Sequence, residues 1–262
     1  MKLTPEDLKS ILSQLQNAGL DAIIVGGQSV NLWAYQYLQN IPQLQQYLPF
    51  ASEDLDFYGG KLEAAICQEI LGGQLILNRD FDPSPNAGLV LIDYPDYKLR
   101  IDFLASVYGL NDAEIIDTAL TFTGQEPLEG LCLKLLHPLL CLEGKLRCLR
   151  GLPQGGRQDL KHVKILILCL HEFFQDLIRQ QQFRPALKLF ERVIKTSLRE
   201  DGLNAWYHHQ IDILNTLPIQ EIQCIDNQKL QDFYTVRWPK VNAQLRERRT
   251  RYQELIERHQ NL

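Results

Sequence analysis

Apolar residues first recur at helical spacing in Leu8, Ile11, Leu12 and Leu15, behind a start marked by Thr4-Pro5 with Asp7 three residues after the threonine. Gly19 is the expected stop. Asp21-Ala22-Ile23-Ile24-Val25 is a short apolar run that reads as a buried strand, and Gln28 to Tyr35 resumes the helical period. Gly26-Gly27 is therefore a strand-to-helix turn. Asn40 to Phe50, with Pro42 and Pro49, breaks the helix and leads to Ser52-Glu53-Asp54-Leu55-Asp56-Phe57-Tyr58-Gly59. On a strand, Leu55 and Phe57 enter the core while Asp54 and Asp56 share the other face.

Lys61 to Ile70 predicts another helix, closed by Gly72-Gly73. Strands are predicted at Gln74 to Asn78, Ala87 to Tyr94 and Lys98 to Val107, joined by Asp82 to Asn86 and by the hairpin connector Tyr94-Pro95-Asp96. Lys98, Arg100 and Asp102 fall on one face of the last strand, with Leu99, Ile101 and Phe103 on the other. From Leu128 the strand pattern gives way to helical runs. These are Leu128 to Leu149, bent at Pro138, then Arg157 to Leu170, Pro185 to Leu198, Gly202 to Leu214 and Val236 to His259. The pattern predicts an α+β protein: residues 1–125 form a small mixed sheet flanked by helices, and residues 126–262 form a helical domain.

Composition changes this picture little. A chain of 262 residues that is 45% hydrophobic and 23% charged can bury a core without disulfides. The net charge of -5 argues against wrapping nucleic acid over the whole surface. Cys67, Cys132, Cys141, Cys148, Cys169 and Cys224 form no Cys-x-x-Cys pair and read as buried free thiols in a reducing compartment. Met1 to Asp7 lacks the apolar core of a signal peptide and no run reaches membrane-spanning length, so a cytoplasmic location without a membrane partner is expected. Arg246, Arg248, Arg249 and Arg251, interleaved with Glu247, Glu254 and Glu257, predict a solvated helix face with local pairs.

The chemistry concentrates on three features. Two carboxylates side by side on a strand repel one another unless a cation or proton lies between them, which makes Asp54 and Asp56 a candidate hard-metal pair. Asp102 lies within the apolar run Ile101 to Ala105, a poor place for an unpaired charge. At Gly26-Gly27 the missing Cβ atoms allow close approach of a phosphate to the helix start. Magnesium, or manganese in its place, suits a site of oxygen ligands completed by substrate phosphates.

Together, Val25-Gly26-Gly27, Asp54-Leu55-Asp56 and Asp102 in Arg100-Ile101-Asp102-Phe103 resemble the nucleotidyltransferase superfamily typified by DNA polymerase β. The wording Gly-Gly-Gln-Ser-Val-Asn-Leu-Trp and Ser-Glu-Asp-Leu-Asp-Phe looks most like the bacterial AbiEii-type toxin-like group, which has a helical C-terminal half. The resemblance implies an NTP substrate, transfer of a nucleoside monophosphate to a hydroxyl of RNA, protein or a small molecule, and a cognate antitoxin as partner. It implies Asp54, Asp56 and Asp102 as catalytic metal ligands. Gly26, Gly27, Ser29, Lys98 and Arg100 are implied around the nucleotide, joined by Lys145 and by Asp159 in Arg157-Gln158-Asp159. One departure is the long interval from Gly27 to Asp54, which implies an insertion around Gln39 to Phe50. A non-catalytic nucleotide-binding or antitoxin-like protein of the same fold is the alternative. A dinucleotide-dependent oxidoreductase is poorer, because Gly26-Gly27 lacks the third glycine of Gly-x-Gly-x-x-Gly.

Overall fold

The computed structural model describes residues 2–79, 83–95 and 97–260. The chain divides into two compact units, Met1–Lys145 and Leu146–Leu262. Asp82 of the first predicted connector and Asp96 of the second lie outside the described residues.

The first unit opens with α1 (Pro5–Asn17), started as its sequence requires. The Thr4 hydroxyl accepts from the Asp7 amide at 3.2 Å, and the Asp7 carboxylate accepts from the Thr4 amide at 2.8 Å. This reciprocal cap satisfies two of the donors that a helix start leaves over. Thr4→Ala is expected to cost about 1 kcal/mol, measured as a lowered urea midpoint with unchanged slope.

A seven-stranded mixed sheet forms the centre of this unit, in the order β3-β4-β5-β2-β1-β7-β6. Its strands are β1 (Ile23–Ile24), β2 (Leu55–Tyr58), β3 (Gln74–Leu77), β4 (Asn86–Asp93), β5 (Lys98–Leu104), β6 (Leu120–Thr123) and β7 (Cys132–Leu135). The helices α2 (Gly26–Tyr37), α3 (Lys61–Leu71), α4 (Asp112–Thr118) and α5 (Pro138–Gly151) connect and extend it. β2 runs parallel to β5 and antiparallel to β1, so the acidic strand is held from both sides. Behind it, the register partners Phe57 and Phe103 stack at 5.4 Å between ring centroids, tying the two strands on their apolar face.

The long interval before β2 is packed rather than looped out. Residues Pro42–Tyr47 form a 3-10 helix, with Leu44 and Phe50 fully buried. Leu3 and Ser52 then exchange backbone hydrogen bonds at 2.7 and 3.0 Å, which fixes the chain just ahead of the acidic strand.

Two expectations change. The run from Leu128 to Leu149 is not one helix: it contains β7, which pairs parallel to β1 and antiparallel to β6, and α5 starts only at Pro138. A four-residue apolar stretch has no periodicity that separates strand from helix, and the two-residue β1 decides the matter by needing a partner. Residue 125, where the domain boundary is expected, lies between β6 and β7. The thiols also differ from expectation. Cys67, Cys141 and Cys169 are buried, but Cys132 and Cys224 are exposed.

The second unit is helical: α6 (Asp159–Arg179), α7 (Phe183–Ser197), α8 (Glu200–His209), α9 (Ile219–Gln223), α10 (Gln228–Asp232) and α11 (Trp238–Gln260). Phe190 centres its core, meeting Phe174 edge-on at 5.2 Å and Phe233 at 5.5 Å. On α11, Arg251 pairs with Glu247 one turn away, while Arg249 reaches Asp212 at 2.8 Å and lies 4.9 Å over the Trp206 ring. Among the described residues, no helix is long and apolar enough to cross a membrane.

Candidate active site

Asp56 and Asp102 are direct neighbours, register partners on the parallel strands β2 and β5, and Asp54 stands two residues before Asp56. One carboxylate oxygen from each of the three lies within 4.8 Å of the others. Ser52 Oγ donates to Asp54 at 3.1 Å and so orients the outermost carboxylate. Alternation places Asp56 and Asp102 on one face, opposite the buried Leu55, Phe57, Ile101 and Phe103, and Asp54 joins them from the bend just ahead of β2.

The glycine turn closes on this cluster. Val25 donates its amide to the Asp56 carbonyl at 2.9 Å, which brings the start of α2 beside β2. Gly26 has φ +64, and a Cβ there would overlap Oδ2 of Asp56 and stand 2.8 Å from its Cγ. Only glycine fits both constraints. No side chain caps the helix at Val25, so its first N–H groups are left for water or an anion.

Charge in this pocket of acids is unbalanced. Burial, followed by the repulsion of Asp54 and then Asp102, pushes the Asp56 carboxyl from 3.8 up to about 7; Lys145 and Arg100 pull the other way. A buried carboxyl among carboxylates holds its proton until a cation replaces it. The donors are all carboxylate oxygens, which fits a hard divalent ion such as magnesium or manganese. Metal binding must then displace a proton. Mn2+ affinity is expected to fall as pH drops below about 7, by about tenfold per unit well below it, and to level off above; free Mn2+ measured by electron paramagnetic resonance across this range checks it.

No family model matches the chain, and no curated protein matches it. Two solved structures are similar. One is a provisionally assigned nucleotidyltransferase from H. pylori, at 15% identity over 95% of this chain and 94% of that one, with a TM-score of 0.34. The other is JHP933 from Helicobacter pylori, at 13% identity over 97% and 94%, with a TM-score of 0.32. At this level the likeness decides nothing about the site, whose own geometry has to carry the reading.

The remaining predicted residues divide. Arg100 lies on the cluster, its Nε and Nη2 donating to the two oxygens of Asp102 at 2.6 and 2.9 Å. Lys145 brings its charge close enough to act on Asp56. Gly27 is buried in the first turn of α2. Ser29 is buried too, its hydroxyl donating to the Gly26 carbonyl at 3.1 Å and lying 3.3 Å from the Cys141 sulfur, so it braces the turn from within. Lys98 is largely exposed at the far end of β5 and pairs with Asp93 at 3.2 Å. Asp159 belongs to the second unit, where it is buried and accepts from Arg157 Nε at 2.6 Å.

Sequence reading overlooked two residues that touch the acids. Asn86 donates from Nδ2 to Asp102 Oδ1 at 3.1 Å, and Ser52 supports Asp54. Ser52 carried a weak signal, a hydroxyl two residues before a carboxylate. Asn86 carried none, because strand pairing alone places the first residue of β4 opposite the end of β5.

Proposed function

We propose that this chain is a metal-dependent nucleotidyltransferase that moves a nucleoside monophosphate from an NTP to a hydroxyl acceptor. The observation that carries the reading is the convergence of Asp54, Asp56 and Asp102 beside the glycine-built start of α2. A divalent ion held there would supply Lewis-acid stabilisation of charge on the transferring phosphoryl group.

The chain's own residues have distinct tasks in this reading. Asp54 and Asp56 hold the metal, and the N–H groups opening α2 receive phosphate oxygens. A bond forms between the acceptor oxygen and the α-phosphorus while the bond to pyrophosphate breaks, the electron pair leaving with pyrophosphate. Asp102 is assigned to the acceptor side, as third ligand and as the base that takes the hydroxyl proton. Lys145 and Arg100 offset the charge that gathers on the leaving group. The AbiEii-type resemblance adds RNA and a cognate antitoxin to the acceptor and partner classes under test.

Incubation with each α-labelled NTP, Mg2+ or Mn2+, and total RNA is expected to label RNA or protein, and Asp54→Ala and Asp56→Ala are expected to abolish the label. Nucleotide binding that ignores both the metal and these substitutions, with no transfer, would overturn it in favour of a non-catalytic binding protein.

A further inference from the structure

Asp102 is already held by a cation of the protein itself. Arg100, two residues earlier on the same face of β5, grips both of its oxygens at 2.6 and 2.9 Å. The two ends of this pair differ in character: the Asp102 side chain is 4% exposed and the Arg100 side chain 52%. One partner is built in and the other can leave.

A second donor explains how Asp102 would stay in place. Asn86 holds Oδ1 at 3.1 Å and is itself pinned, because its carbonyl accepts from Asn78 Nδ2. The adjoining Pro85 carbonyl accepts from the Ala105 amide at 2.8 Å. A neutral amide beside a carboxylate is compatible with a metal ion on the same oxygens, whereas a guanidinium repels that ion. Nor can Arg100 step aside by titrating, since a guanidinium keeps its charge at any ordinary pH. Its departure requires a new cation for Asp102 and a new anion for itself.

We infer that Arg100 is an internal counter-ion of the metal site: it keeps bare divalent cations off Asp102 and surrenders the carboxylate to a cation that arrives with a polyphosphate, to which the guanidinium then transfers. A metal–triphosphate complex brings both charges together, so the site loads metal and phosphates as one. The inference rests on the metal-dependent reading above and adds the order of loading. Arg100 is thereby a positioning and selectivity residue, distinct from a brace that merely orients Asp102.

The two roles give opposite signs. Titration calorimetry of the full chain with Mn2+ alone, and separately with Mn2+–tripolyphosphate as a base-independent probe, is compared for the wild type, Arg100→Gln, Arg100→Lys and Asp54→Asn. Arg100→Gln is expected to bind bare Mn2+ about tenfold more tightly, because a repelling charge is gone, and Mn2+–tripolyphosphate about tenfold more weakly, because the phosphates lose their partner. Arg100→Lys, which keeps the charge, is expected to stay near the wild type for bare Mn2+. The rise in Tm on adding Mn2+ should be larger for Arg100→Gln than for the wild type, a readout that also serves if the metal-free variant is poorly folded.

Weaker or unchanged binding of bare Mn2+ by Arg100→Gln would overturn the inference and leave a bracing role. If wild-type binding is lost in Asp54→Asn at the same time, the metal site itself stands. Failure of both wild type and Arg100→Gln to bind Mn2+ would remove the metal reading and this inference together.

Discussion

Asp56→Asn is expected to lower nucleotidyl transfer by at least about a thousandfold while making the metal-free protein more stable. The first effect follows from the position of Asp56 between Asp54 and Asp102, where loss of one carboxylate would remove a ligand of the proposed metal and with it several kcal/mol of charge stabilisation in the transition state. The second follows from the cost of the charge itself. Burial and two neighbouring carboxylates raise the Asp56 pKa to about 7, so the folded protein holds a proton there that the unfolded chain has released. Stability from this group is therefore full below pH 4 and is lost as pH rises toward 7. An isosteric amide does not titrate. The stability gain of Asp56→Asn should be negligible near pH 4 and greatest above pH 7, measured by urea unfolding in EDTA. A carboxylate placed for structure alone would give a loss at every pH.

The second large effect is expected at Gly26. Gly26→Ala places a Cβ onto the Asp56 carboxylate and forces a non-glycine residue to hold φ +64. Left-handed backbone costs about 1–3 kcal/mol and overpacking a similar amount, so the unfolding free energy should drop by about 2–4 kcal/mol. Relief can come only by moving Asp56 or unwinding the first turn of α2, and either change spoils the site. Transfer and Mn2+ binding should fall with stability, by at least about a hundredfold for transfer, as for a misplaced catalytic group. Wild-type unfolding together with wild-type Mn2+ binding would show that the turn has room the structure does not give it. Gly27→Ala is a useful comparison, since no left-handed φ is required at 27.

These two residues illustrate why the candidate site is legible in the sequence. The Asp54-x-Asp56 spacing puts both acids on one side of an extended chain whatever the strand's partners, because side chains alternate with period two, and the structure keeps them together although β2 starts only at Leu55. Gly26-Gly27 between an apolar run and a helical pattern likewise marks a turn before any tertiary structure is known. The same local rule put Arg100 and Asp102 on one face of β5, opposite Leu99, Ile101 and Phe103. Capping at Thr4, the spans of α3 and β4 and the alternation in β5 are equally local, and the structure reproduces them within a residue or a few at their ends.

What the residues could not specify was who stands beside whom. That β2 lies parallel to β5, bringing Asp56 opposite Asp102, depends on the crossover through α3, β3 and β4. The role of Asn86 depends on the same pairing, and the strand identity of Cys132–Leu135 depends on the need of β1 for a neighbour. Arg100 shows the limit most plainly. Its face was readable, but an exposed strand arginine has Asp93 and water as alternatives, and only the buried position of Asp102 made the bidentate pair the better choice. Sequence periodicity thus determined α1 to α3 and β1 to β5, their faces and the candidate chemistry, since these are set within a few residues. The sheet order decided the site, because burial and opposing charge exist only between segments that the fold brings together.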